Sequence, residues 1–194
     1  LVSSAASVLD KSRLFVAGAK VISTTYEGSS SLTSVKEFTG YSNKGNLLAY
    51  IDRGTGIEDA YKTVIDYYSS VGSLDNSTGF PQTISVYKNS TNQLQRQRTA
   101  AYNTQGKLSQ ITTKLNQAEN NDVSFVYDTT YGNLITVNDL NNMNSANTGY
   151  FSRTITYDTT INTYPVSISN SFGETSSTDY NYLFGIAVRS KDVN

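Results

Sequence analysis

The side chains in this sequence best placed to do chemistry are carboxylates. Glu58 with Asp59, or the set Asp122, Asp128, Asp158 and Asp179, offers pairs that could divide the roles of general acid and general base. Composition closes the neighbouring chemistries. With His 0 and Cys 0, the chain holds no Ser-His-Asp or Cys-His nucleophile pair, no disulfide and no zinc site of the usual kind. Arg53-Gly-Thr-Gly56 has the glycines of a phosphate loop but neither the Lys-Ser/Thr continuation nor a following helix. Asp139-Leu-Asn-Asn-Met-Asn144 sets oxygen ligands at alternate positions, like the opening of a calcium loop. It lacks the sixth-position glycine and the later glutamate. Exposed tyrosines could stack on sugar rings, and Asn76-Ser-Thr and Asn89-Ser-Thr are glycosylation sequons. Each of these signals has a plainer use. The aspartates stand at strand ends, where turns consume them, and the tyrosines recur in a register that suits a core or a cross-strand ladder. The expectation is a chain with no catalytic residue, no metal and no cofactor.

The elements that must position these residues follow a recurring phrase: a tyrosine at a strand end, a glycine four or five residues on, then an apolar strand. It reads Tyr41-Ser-Asn-Lys-Gly45-Asn-Leu, Tyr102-Asn-Thr-Gln-Gly106-Lys-Leu, Tyr127-Asp128-Thr-Thr-Tyr-Gly132-Asn-Leu and Tyr180-Asn-Tyr-Leu-Phe-Gly185-Ile. Gly45, Gly132 and Gly185 are each followed seven positions later by an aspartate, Asp52, Asp139 and Asp192. In a further copy, Tyr157-Asp158-Thr-Thr-Ile-Asn162, asparagine fills the glycine slot as the next-best left-handed residue. Both prolines occupy matching places, Phe80-Pro81-Gln-Thr-Ile84 and Tyr164-Pro165-Val-Ser-Ile168, where a strand begins. Each position has a physical reason. The aromatic covers apolar area on a pleated surface, Asp or Asn bonds its own backbone to open a turn, and glycine supplies the positive φ of a tight hairpin. Tandem self-similarity of this kind predicts an all-β array of antiparallel hairpins.

These residues resemble a known family. Tyr127-Asp128 followed by Gly132, with Tyr157-Asp158 behind it, is similar to the YD repeats of Rhs proteins, teneurins and the B-components of bacterial insecticidal toxin complexes. Their usual phrase is Tyr-Asp-x-x-Gly-Arg-Leu. The resemblance covers residues 35–194 and is clearest from 99 onward. Two copies here keep Asp after Tyr, and the Arg position holds Asn46, Lys107 or Asn133. The resemblance implies a strip of sheet in a spiralling hollow YD-repeat shell that encloses a toxin polypeptide. It implies as partners the neighbouring repeats of the same chain and the enclosed toxin, in a large secreted or surface-exposed bacterial toxin-delivery protein. The family's self-cleaving region uses an aspartate motif not found here. An adhesin or glycan-binding module built from the same hairpins is the alternative.

Composition sets independent bounds. Lys+Arg 15 against Asp+Glu 16 gives a net charge of -1, which argues against a nucleic-acid or membrane-surface partner. No stretch approaches the roughly 18 apolar residues of a membrane span. Tyr 15 and Phe 7 supply a core without Trp, but too little apolar material to bury both faces of every strand. The chain begins at Leu1 without a signal pattern, and both ends are expected to continue into a longer polypeptide. Residues 1–34 read as an N-terminal lead-in and 35–194 as the hairpin array. Period-two patterning predicts strands at 14–22, 34–39, 46–51, 62–68, 82–87, 94–102, 107–115, 122–127, 133–138, 152–157, 165–169, 176–182 and 186–190. A helix is admitted only over the first dozen residues and about 58–66, and 69–79 is expected to be a long loop.

Overall fold

The computed structural model describes residues 17–55, 60–75, 79–115, 119–140 and 151–193. Within them the chain is all β, and every strand pairs antiparallel to its neighbours wherever a register is defined. The strands are β1 (Lys20–Glu27), β2 (Ser30–Tyr41), β3 (Leu47–Asp52), β4 (Tyr61–Tyr67), β5 (Ser70–Val71), β6 (Leu74–Asp75), β7 (Pro81–Lys88) and β8 (Gln93–Tyr102). They continue as β9 (Leu108–Lys114), β10 (Asn120–Tyr127), β11 (Leu134–Asp139), β12 (Phe151–Tyr157), β13 (Pro165–Asn170), β14 (Thr175–Asn181) and β15 (Ile186–Lys191). The hydrogen-bonded order follows the chain, β1-β2-β3-β4-β7-β8 and on to β15, with β5 and β6 pairing only with each other. Two compact units divide the chain, Leu1–Ser69 with Asn76–Gln97, and Ser70–Asp75 with Arg98–Asn194.

The segments form strands because β-branched and aromatic residues dominate them, as in Phe151-Ser-Arg-Thr-Ile-Thr-Tyr157. In β10, Val123, Phe125 and Tyr127 share one face and Asp122, Ser124 and Val126 the other, and the pairing Val123↔Ile111 and Phe125↔Val137 carries the apolar face across β9 and β11. Most strand residues are half-buried. Among the described residues the buried ones are Ala60, Val71, Thr63, Ser85 and Asp158. A sheet with few residues fully enclosed gains most of its cohesion from the hydrogen-bonded ladder and cross-strand pairs rather than from a thick core.

Two expectations are corrected. Among the described residues the first strand is Lys20–Glu27, where 14–22 is expected, and its partner begins at Ser30 rather than Ser34; residues 14–16 lie outside the described residues. The apolar run Leu14-Phe-Val draws the expectation upstream, whereas the real hairpin turns at Gly28, with φ 61°, and pairs Ser/Thr-rich segments such as Thr24↔Thr33. Residues 69–79 are not all loop, since β5 and β6 form a small hairpin around Gly72. The strand expected at 62–68 is found as Tyr61–Tyr67, because Thr63, Val64 and Ile65 pair into the sheet rather than forming the helix the sequence also admits. Residues 1–12, the other admitted helix, lie outside the described residues.

Candidate functional site

The repeated tyrosine marks a corner with a shared shift in strand register. Tyr41, Tyr67, Tyr127, Tyr157 and Tyr180 each sit where the register shifts against the returning strand. Val126 pairs with Thr136 but Tyr127 with Leu134, so Ile135 is the extra residue of a β-bulge. Val166 and Val188 are extra in the same way opposite Tyr157 and Tyr180. Bulging aims the phenol back across the preceding strand. The Tyr67 hydroxyl donates to the Leu47 carbonyl at 2.9 Å, Tyr127 to Leu108 at 2.9 Å and Tyr157 to Leu134 at 3.2 Å. Each acceptor is the first residue of the strand before the tyrosine's own. Burial pushes the Tyr67 and Tyr127 phenols above their ordinary value. Tyr41 donates to Gly18 at 2.7 Å, and Tyr180 stacks on Tyr164 with ring centroids 4.8 Å apart. Tyr102 ends β8 in the same position.

The residue after the tyrosine organises the turn. Ser42 Oγ accepts from the N–H groups of Lys44 and Asn46, and Asn103 Oδ1 from those of Gln105 and Lys107. Asn181 Oδ1 accepts from Leu183. Aspartate does more. Asp128 accepts from Thr130 and Tyr131 on one oxygen and from Asn133 at 2.6 Å on the other. Asp158, 3% exposed, accepts from Thr160, Ile161 and Asn162 on Oδ1 and from Thr163 and Tyr164 on Oδ2. Tyr131 and the neighbouring backbone donors hold the Asp128 carboxyl below its ordinary value. For Asp158, burial works to raise the pKa, but the donors of Ile161, Tyr164, Thr163 and Asn162 outweigh it and keep the group far below the usual carboxylate range. Both turns close on a left-handed residue, Gly132 at φ 76° and Asn162 at φ 55°. Gly45, Gly106 and Gly185 are left-handed at the equivalent points, with φ 90°, 78° and 66°.

The candidate acid/base residues are dispersed among these structural tasks. Asp128 and Asp158 spend both oxygens on backbone N–H groups. Asp122 stands near the far end of β10 from Asp128, accepting from Gln110 and Thr112. Asp179 lies mid-strand in β14, opposite Arg189. Glu58 and Asp59 lie outside the described residues. Of the aspartates seven residues past the glycines, Asp52 ends β3, accepts from the Gly54 N–H at 3.1 Å and meets Lys36 Nζ at 3.3 Å. Asp139 ends β11, paired in register with Val123 and Phe151, and Asp192 follows β15, accepting from the Val193 N–H. The calcium-like stretch continues into 141–144, outside the described residues. Arg53 of the glycine-flanked fragment is held by Glu37, whose Oε2 lies 2.7 Å from Nη2 and which Arg53 keeps below its ordinary pKa. Among the described residues no three His, Cys, Asp or Glu side chains converge as a metal site.

Sequence reasoning missed Tyr67 as a member of the repeat, because the β5–β6 insertion separates it from the returning strand. A signal was present. Tyr67↔Pro81 and Tyr157↔Pro165 are the same pairing, and each proline starts its strand.

Antiparallel hairpins in tandem, closed by recurring tyrosine corners, define a β-repeat scaffold. Known structures share that fold. A crystal structure of TcdB2-TccC3-Cdc42 superposes with a TM-score of 0.57 and 18% identity over 86% of this chain and 8% of its own. TcdB2-TccC3-TEV gives 0.57 and 20% over 84% and 8%, and TcdB2-TccC3 without its hypervariable C-terminal region gives 0.56 and 17% over 87% and 9%. At such identities the likeness is one of fold, and this chain spans less than a tenth of the length of the chains it matches. No protein family model matches the chain, and no curated protein does.

Proposed function

We propose that this chain is a structural wall segment of a YD-repeat shell, in a secreted or surface-exposed bacterial toxin-delivery protein, and that the shell encloses a toxin polypeptide. The observation that carries the reading is the corner itself. Tyrosine bond, caged turn and left-handed residue recur from hairpin to hairpin, and the fold they build is the one shared with the TcdB2-TccC3 structures. A wall needs repetition and backbone cohesion, and the carboxylates are used for both. The segment has no catalysis of its own in this reading. Its partners are neighbouring repeats and the enclosed polypeptide. Among the described residues no helix is long and apolar enough to cross a membrane.

The test is protease protection in the full-length protein. The polypeptide encoded beyond the repeats should resist digestion while the repeats are folded and be cleaved once denaturant opens them. Cleavage at equal rates in both states would refute enclosure. A glycan-binding reading draws on one feature, the stacked Tyr164 and Tyr180 with the exposed Tyr182 and Phe184 nearby in sequence. Saturable binding to immobilised glycans, lost in Tyr182→Ala, would favour it.

A further inference from the structure

In three hairpins the residue after the left-handed turn position stands just before the returning strand, and its side chain reaches the next turn. Lys107, after Gly106, donates from Nζ to the Gly132 carbonyl at 2.8 Å. Asn133, after Gly132, donates from Nδ2 to the Asn162 carbonyl at 2.6 Å. In the first unit, Asn46 follows Gly45 and packs against Gly79, which also has a positive φ, of 65°. The acceptors have a common origin. Both carbonyls belong to left-handed residues, Gly132 at φ 76° and Asn162 at φ 55°.

We propose that Lys107 and Asn133, each following a left-handed turn position, are couplers, which lock one turn to the next by donating to the carbonyl of the next left-handed residue. The coupler fixes the lateral spacing of successive hairpins at the turn edge. Two chemically different side chains, an ammonium and a carboxamide, converge on the same kind of acceptor, and a donor N–H is all they share. Lys107 also lies 5.2 Å from the centre of the Tyr127 ring, so its stem and charge are guided across the intervening corner.

Amide hydrogen exchange in the full-length protein tests this. Lys107→Met keeps the stem and removes the donor. It should speed exchange at Thr130, Tyr131 and Asn133 by about threefold to tenfold, leaving Gln105 and Gly106 in its own turn nearly unchanged. Lys107→Arg, which keeps a long donor, should restore the slow rates. Asn133→Leu, close to isosteric and without a donor, should act likewise on Ile161, Thr163 and Tyr164, and it carries the test should Lys107→Met not fold. The proposal is overturned if the downstream amides keep their rates. It is equally overturned if the residue's own turn loosens as much as the next, or if Lys107→Arg exchanges as fast as Lys107→Met.

Discussion

Asp158 shows how one side chain sets the terms of a turn. Its pKa in the folded state lies below the ordinary value of 3.8, so its contribution to stability is complete above that value and is lost as pH falls toward the folded pKa. The urea midpoint should therefore be flat from pH 7 to about 5 and decline below about 4. Asp158→Asn should lower the plateau and flatten the acid limb, since an amide can accept on one oxygen only while Thr163 and Tyr164 donate to the other. Asp128→Asn should do the same to a smaller degree, because fewer donors converge there. An acid limb unchanged in Asp158→Asn would count against the cage. Gly132 makes a separate point. Its φ of 76° is left-handed, and a Cβ there would collide with Lys107 Nζ. Gly132→Val should cost about 1–2 kcal/mol or more in a denaturant titration.

Hairpins are the next scale, and most of them can be read from the sequence. Val123-Ser-Phe-Val-Tyr127 alternates cleanly, and the tyrosine-to-glycine spacing puts the turns where Gly45, Gly106, Gly132 and Gly185 are found. Thirteen predicted strands correspond to thirteen members of the observed order. What escapes has no period to read. The two-residue strands β5 and β6 are too short to alternate, and β1 is held by backbone pairing between polar segments rather than by an apolar face. The tyrosine hydroxyl bond is also invisible, because its acceptor is a main-chain carbonyl 19 to 23 residues upstream. That bond can be weighed. Tyr127→Phe keeps the ring and removes the donor to Leu108, and should cost about 0.5–1.5 kcal/mol by urea unfolding. Tyr26→Phe, at a residue 75% exposed, should cost nothing measurable.

For the whole molecule, the strands that begin and end the order are the ones least covered. Every residue of β1 and of β15 is exposed, including Val21, Ile22, Ile186 and Val188. Unpaired strand edges with apolar side chains template further pairing. The isolated 194-residue chain should associate in light scattering as concentration rises, and Val188→Lys should reduce that association without changing the circular dichroism spectrum. A monodisperse monomer at all concentrations would contradict this. Antiparallel strands reverse direction at every step, so tyrosine corners share one edge only while strands are gained or lost in twos. Removing β11 alone would send the Asp158 turn to the opposite edge and leave the Tyr157 hydroxyl without the Leu134 carbonyl. Removing β11 and β12 together would preserve the direction of everything that follows. Changes in the length of such an array are restricted to even steps, with the hairpin as the indivisible unit of growth.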